Sequence, residues 1–147
     1  MFHQPEKKAG LRTKPLAALT KITAVETILD TPKRTTLIQT IRESGGLNLK
    51  LFNALCLQLI KNLLQYCQVL PESSNRYYAL PGGLIDYAIN RTEAALILFH
   101  DNILLEPQAP LSDEQKLWWY TLFSAALLRG IGKLYLDYKI DLYDKNG

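Results

Sequence analysis

The sequence predicts a mostly α-helical protein, a helical bundle that ends in a short C-terminal strand or extended tail, and three observations carry that prediction. Leucine dominates the apolar residues, while glycine, proline and β-branched clusters are sparse over 47–70 and 113–129, which favours helix. The apolar positions Phe52, Leu55, Cys56, Leu59, Ile60, Leu63 and Leu64 recur at spacings of three and four, the repeat of a helix with one buried face. Start and stop signals flank these runs, among them Ser112 and Gln115 in capping-box spacing and the pair Gly45-Gly46. With 147 residues, 48% of them hydrophobic, one domain can bury a core without disulfide or metal staples.

Residues 1–24 are polar and basic and contain Pro5 and Pro15, so they are expected to form an arm, leaving 25–147 as the helical domain. Asp30 or Thr31 can cap a helix with Pro32 at its first position, and Gly45-Gly46 stop it, which predicts a helix over 32–44. Asn48 starts the next helix, the one with the strong apolar repeat, and Pro71 ends that segment. "PESSNRYYALPGG" is a loop by composition. After it, "LIDYAINRTEAALILFHDN" sets Leu84, Tyr87, Ala88, Arg91, Ala94, Ala95 and Leu98 on a helical face that ends before Pro107. "LSDEQKLWWYTLFSAALLRGIG" has two acids in its first turn and is so apolar afterwards that it is expected to be the central helix. In "KLYLDYKIDLYDKNG", Leu134 and Leu136 alternate with polar residues, hence the expected strand or extended tail.

The net charge of +3 owes much to Lys7, Lys8, Arg12, Lys14 and Lys21, so the domain itself carries no broad electrostatic footprint for nucleic acid. No apolar window approaches the roughly 20 residues of a membrane span, and the N-terminus has no apolar leader core. The expected location is cytoplasmic, which is compatible with peripheral attachment to a membrane machine. Cys56 and Cys67 lie roughly 16 Å apart along one helix and cannot bridge. They read as buried small hydrophobes in a reducing compartment, and with His3 and His100 they lack zinc-site spacing.

His100-Asp101 reads as a helix-terminal histidine beside a surface acid, since the only other histidine lies in the arm. Asp137, Asp141 and Asp144 lack the glycine and terminal glutamate of a calcium loop. Ser73, Ser74 and Ser124 have no local histidine base, and "PGGL" lacks the later residues of a phosphate-binding loop. Tyr77, Tyr78, Tyr87, Trp118, Trp119 and Tyr120, with Arg76, Arg91 and Arg129, leave two readings open. The rings and guanidinium groups could hold a base or phosphate, or the tyrosines could fill a hollow with their hydroxyls on Arg129; either way, part of the cluster suits a docking surface.

Two stretches, "QYCQVLPESSNRYYALPGGLIDYAINR" and "WWYTLFSAALLRGIGKLYLDYKIDLYDKNG", resemble the N-terminal domain of TraI-like, MOBH-type conjugative relaxases, a family built on the HD phosphohydrolase fold. The resemblance runs from about residue 25 onward, and its framework is present as Pro81, Gly82, Gly83, Leu84, Trp119, Ala125, Ala126, Leu127, Leu128, Ile131, Gly132 and Lys133. It implies a metal-ligand histidine where this chain has Tyr87, a His-Asp dyad where it has Arg129 and Gly130, and loop histidines where it has Arg76, Tyr77 and Tyr78. Metal-assisted phosphoester hydrolysis needs imidazole and carboxylate donors to hold the ion that generates hydroxide. Glycine offers no side-chain donor and arginine is a permanent cation.

The resemblance therefore implies a degenerate HD domain, without cofactor or catalytic residues, that works by protein contact in a bacterial conjugation or type IV secretion setting. Arg76, Tyr77, Tyr78, Arg91 and Lys133 are the expected ligand or partner contacts. The alternative is a DNA-binding or DNA-processing module of a mobile-element relaxase system, with Arg76, Arg91, Arg129 and the basic arm on the phosphates. A partner chain or further residues could also supply missing ligands, though an added aspartate alone would not replace Tyr87, Arg129 and Gly130.

Overall fold

The computed structural model describes residues 20–73, 77–103 and 110–142. The described residues form helices and turns with no strand among them: α1 (Val25–Leu29), α2 (Pro32–Ser44), α3 (Leu49–Phe52), a π-helical segment (Asn53–Leu57), α4 (Gln58–Cys67), α5 (Gly83–Ile103), α6 (Asp113–Leu128) and α7 (Ile131–Asp137). Most of the expected arm lies outside the described residues. Of its last part, Thr23 is tied down by its backbone N–H, which donates to Gln68 Oε1 at 3.0 Å.

Local signals set the helix starts. Thr31 Oγ1 accepts from the Arg34 N–H ahead of Pro32, and Asn48 Oδ1 accepts from the Leu51 N–H at 2.9 Å. Ser112 and Gln115 form the reciprocal capping box, with Gln115 N donating to Ser112 Oγ and Ser112 N donating to Gln115 Oε1. The expected 32–44 helix is α2. The stripe that begins at Phe52 runs without a break from α3 through the π-helical segment into α4 and buries Phe52, Cys56, Ile60, Leu63, Leu64 and Cys67. A π turn holds one residue more than an α turn. That wider turn lets Phe52, Cys56 and Ile60, each four apart, stay on the same side.

α5, rather than α6, is the central helix, because it packs against α2, α4 and α6. It buries Ile85, Ala88, Ile89, Thr92, Leu96 and Phe99, and the Thr92 hydroxyl is satisfied by the Ala88 carbonyl at 2.8 Å. α6 buries Trp119, Phe123, Ala126 and Leu127 but leaves Leu117, Trp118, Thr121 and Ala125 exposed, so its apolar run wraps a wet side as well as a dry one. The indole of Trp119 stacks on Phe123 at 5.5 Å between centroids and donates through Nε1 to Ser44 Oγ at 3.1 Å.

The C-terminal segment departs from expectation. Ile131–Asp137 is helix α7, and the backbone becomes extended only from Tyr138, so the tail alternative holds for 138–142 and the strand does not. The alternation of Leu134 and Leu136 is misleading because only Leu134 packs on the core, while Leu136 is exposed.

Arg34 ties the start of the bundle together. Its Nε donates to Asp86 Oδ1 at 2.7 Å and its Nη1 to the Ile28 carbonyl, joining α2 to the first turn of α5 and the end of α1. At the entry to α5, a Cβ on Gly83 would lie 2.0 Å from the Tyr78 carbonyl oxygen, so only glycine admits this close pass of backbone on backbone.

Candidate functional site

A cleft of about 250 Å³ opens where α4, α5 and the α6–α7 junction meet, and it brings Tyr87, Arg91, Arg129 and Gly130 together. These residues are up to 43 positions apart in sequence and share one wall because α5 and α6 pack side by side. Glu72, Asp137 and Tyr138 complete the polar lining, with Leu63, Leu84 and Leu134 beneath.

Arg91 organises the cleft. Its guanidinium sits 4.7 Å over the centre of the Tyr87 ring, a cation–π distance. It also donates to main-chain carbonyls at the end of α6: Nε to Ala126 O at 2.8 Å, and Nη2 to Arg129 O at 3.0 Å and to Leu127 O at 3.4 Å. The last carbonyls of a helix lack partners within it and carry partial negative charge, and here one side chain supplies both donors and positive charge.

The junction itself explains Gly130. Arg129 leaves helical geometry at ψ 122°, and Gly130 follows at φ 82°, ψ 8°, in the left-handed region that favours glycine. Residues 129 and 130 therefore form the turn between α6 and α7, not a further turn of α6.

Arg129 does not rest on tyrosine hydroxyls as the filled-hollow reading expected. It is exposed, and among the described residues its guanidinium has no hydrogen-bond partner; Arg91 fills that place instead. Tyr138 on the far wall donates its hydroxyl to the Pro71 carbonyl. Burial, then the nearby Glu72 and Asp137 carboxylates, raise the Tyr138 pKa above the ordinary phenol value.

The aromatic residues separate into three groups. Tyr77, Tyr78 and Tyr87 form a ladder, with centroid separations of 5.1 Å and 5.3 Å, that runs outward from Arg91 to an almost fully exposed Tyr77. Trp119 and Tyr120 pack on Phe123 at the core, and Trp118 stands in solvent. Arg76 and the side chain of Lys133 lie outside the described residues.

His100 is engaged through Nε2 with the Ser44 carbonyl at 2.8 Å, which makes it a tie between α5 and the end of α2. Asp137 lies in α7, Asp141 follows the helix, and Asp144 lies outside the described residues. Among the described residues, no three His, Cys, Asp or Glu side chains converge as a metal site would require. Both cysteines are free and buried, and burial pushes the Cys56 thiol up to about 12 and the Cys67 thiol to about 11. No described helix is long and apolar enough to cross a membrane.

Sequence reasoning missed three residues here: Glu72 and Tyr138, which face one another only through the fold, and Ser44, which joins Trp119 to α2. Compared with known families, residues 19–147 match the model TraI_2, described as "Putative helicase". No curated protein and no solved structure matches the chain.

Proposed function

The chain belongs to the TraI_2 family, and on that premise we propose that it is a degenerate HD-like domain that acts by binding another protein rather than by catalysis. The setting is bacterial conjugation or type IV secretion, as the relaxase resemblance implies. One observation carries this reading: the Arg91 guanidinium lies against Tyr87 and donates to the carbonyls of Ala126, Leu127 and Arg129. A permanent cation thus occupies the wall on which the relaxase pattern would hold a divalent ion, and it repels such an ion. Gly130 adds support, since a left-handed turn stands where the second half of a dyad would be.

The test is elemental analysis of the purified chain together with a phosphodiesterase and nuclease screen. The expected result is no stoichiometric manganese, iron or zinc and no turnover. Stoichiometric metal, with turnover abolished by Arg129→Ala, would overturn the proposal.

A second reading, contact with nucleic acid, draws on the exposed Tyr77 ring and the exposed Arg129. Stacking on an open ring and pairing of guanidinium with phosphate are the usual elements of such contacts. It predicts binding to single-stranded DNA at low salt that falls steeply as salt is added; a flat titration removes it.

A further inference from the structure

The side of α6 turned away from α5 is exposed along its length. α6 shares its extended contact with α5, and its opposite side exposes Glu114, Leu117, Trp118, Thr121 and Ala125. Trp118 is 52% exposed and Leu117 63% exposed, on a helix whose other large rings are packed away. Glu114, Trp118, Thr121 and Ala125 follow one another at spacings of four, three and four, the seam of a helix that pairs with another helix.

We infer that this face joins two copies of the chain, α6 against α6 in antiparallel orientation. A two-fold axis crossing the helix between Thr121 and Leu122 sets Trp118 of one copy against Ala125 of the other. It places the largest exposed ring opposite one of the smallest side chains, twice per interface, as an isologous contact demands. The same axis brings Glu114, at the acidic start of α6, level with Arg129 at its end, so the two ends of the seam carry opposite charge and pair reciprocally. The two tryptophans flank the axis inside a seam with polar ends, and tryptophan is among the residues that most often anchor an interface.

From Glu114 to Arg129 the seam is about 22 Å long. One helix face of that length covers less than the roughly 800 Å² per partner of stable complexes. Association is therefore concentration-dependent. This inference stands apart from the reading of the cleft: it requires neither the loss of a metal site nor a foreign partner.

The test is sedimentation equilibrium of the full chain from micromolar to near-millimolar concentration. The expected result is a monomer–dimer equilibrium that Trp118→Ala weakens at least tenfold and Glu114→Arg several-fold. Glu114→Arg combined with Arg129→Glu restores it. All three positions are exposed, so circular dichroism should show the same helix content throughout.

Thr121→Cys, next to the axis, gives an independent readout. Under mild oxidant it forms a reducible covalent dimer, whereas Thr36→Cys on the exposed side of α2 does not, and the buried Cys56 and Cys67 stay silent. A chain that stays monomeric throughout overturns the inference. So does a dimer indifferent to Trp118→Ala, and failure of the charge exchange to restore association overturns the antiparallel register.

Discussion

Arg91 donates to the main-chain carbonyl of Arg129 across 3.0 Å, so one guanidinium closes the helix that carries the other. The two arginines that the sequence offers as equivalent phosphate contacts thus have different tasks, one inside the fold and one in solvent.

This division predicts the cost of removing Arg91. Arg91→Ala strips three carbonyls of their donor and exposes the Tyr87 ring, and it should destabilise the chain by about 2–3 kcal/mol in urea denaturation. Arg91→Lys keeps the charge but not the planar fork, and it should recover less than half of that loss. Arg129→Ala, with no partner among the described residues, should change stability by less than about 0.5 kcal/mol.

Rebuilding the relaxase pattern should fail. A variant carrying Tyr87→His, Arg129→His and Gly130→Asp still has Arg91 at the end of α6, and an aspartate at φ 82° strains the turn by roughly 1 kcal/mol. Calorimetric titration with manganese should show no binding. A micromolar site in this variant would mean that Arg91 does not keep the ion out.

The end of α2 holds the Trp119 indole by packing at Gly45 and by one hydrogen bond from Nε1 to Ser44 Oγ. Ser44→Ala leaves the buried Trp119 Nε1 without an acceptor, and it should cost about 1–2 kcal/mol. The intrinsic fluorescence of Trp119 should shift with it, while that of the exposed Trp118 should not. Excitation of a Trp118→Phe background separates the two.

Stability should fall in alkali. The folded thiols of Cys56 and Cys67 titrate at about 12 and about 11, against 9.0 for an unburied thiol, so above that value the unfolded chain releases protons that the folded one retains. A raised acid pKa means stability that is intact below 9.0 and lost as pH rises toward 12. The raised Tyr138 adds in the same direction. Thermal midpoints measured from pH 8 to 11 should decline progressively, and replacing both cysteines by alanine should flatten the decline.

Elements bounded by local chemistry were legible in the sequence. Pro32 and Gly45 mark the limits of α2, and Ser112 with Gln115 marks the start of α6, because caps and stops act within a few residues. Tyr87, Arg129 and Gly130, which the relaxase resemblance singles out, line one cleft in the fold. The rest depended on contacts across the fold. Whether α5 or α6 is central turns on how many neighbours each helix has, and both are apolar enough for the role. The part played by Arg91 required knowing that its guanidinium reaches carbonyls 35 to 38 residues away. Gln68 gave no signal at all: it sits at φ 44°, ψ −124°, held by the helix it ends and by the Thr23 backbone that bonds its amide.

The wide turn at Asn53–Leu57 has a consequence for how this chain can change length. A π turn amounts to one residue inserted into an ordinary helix, with the faces before and after it left in register. Shortening the segment by a residue would straighten the helix while Phe52 on one side and Ile60 on the other kept their seats in the core. A single-residue gap here in a relative would then record a tolerated deletion rather than a different fold.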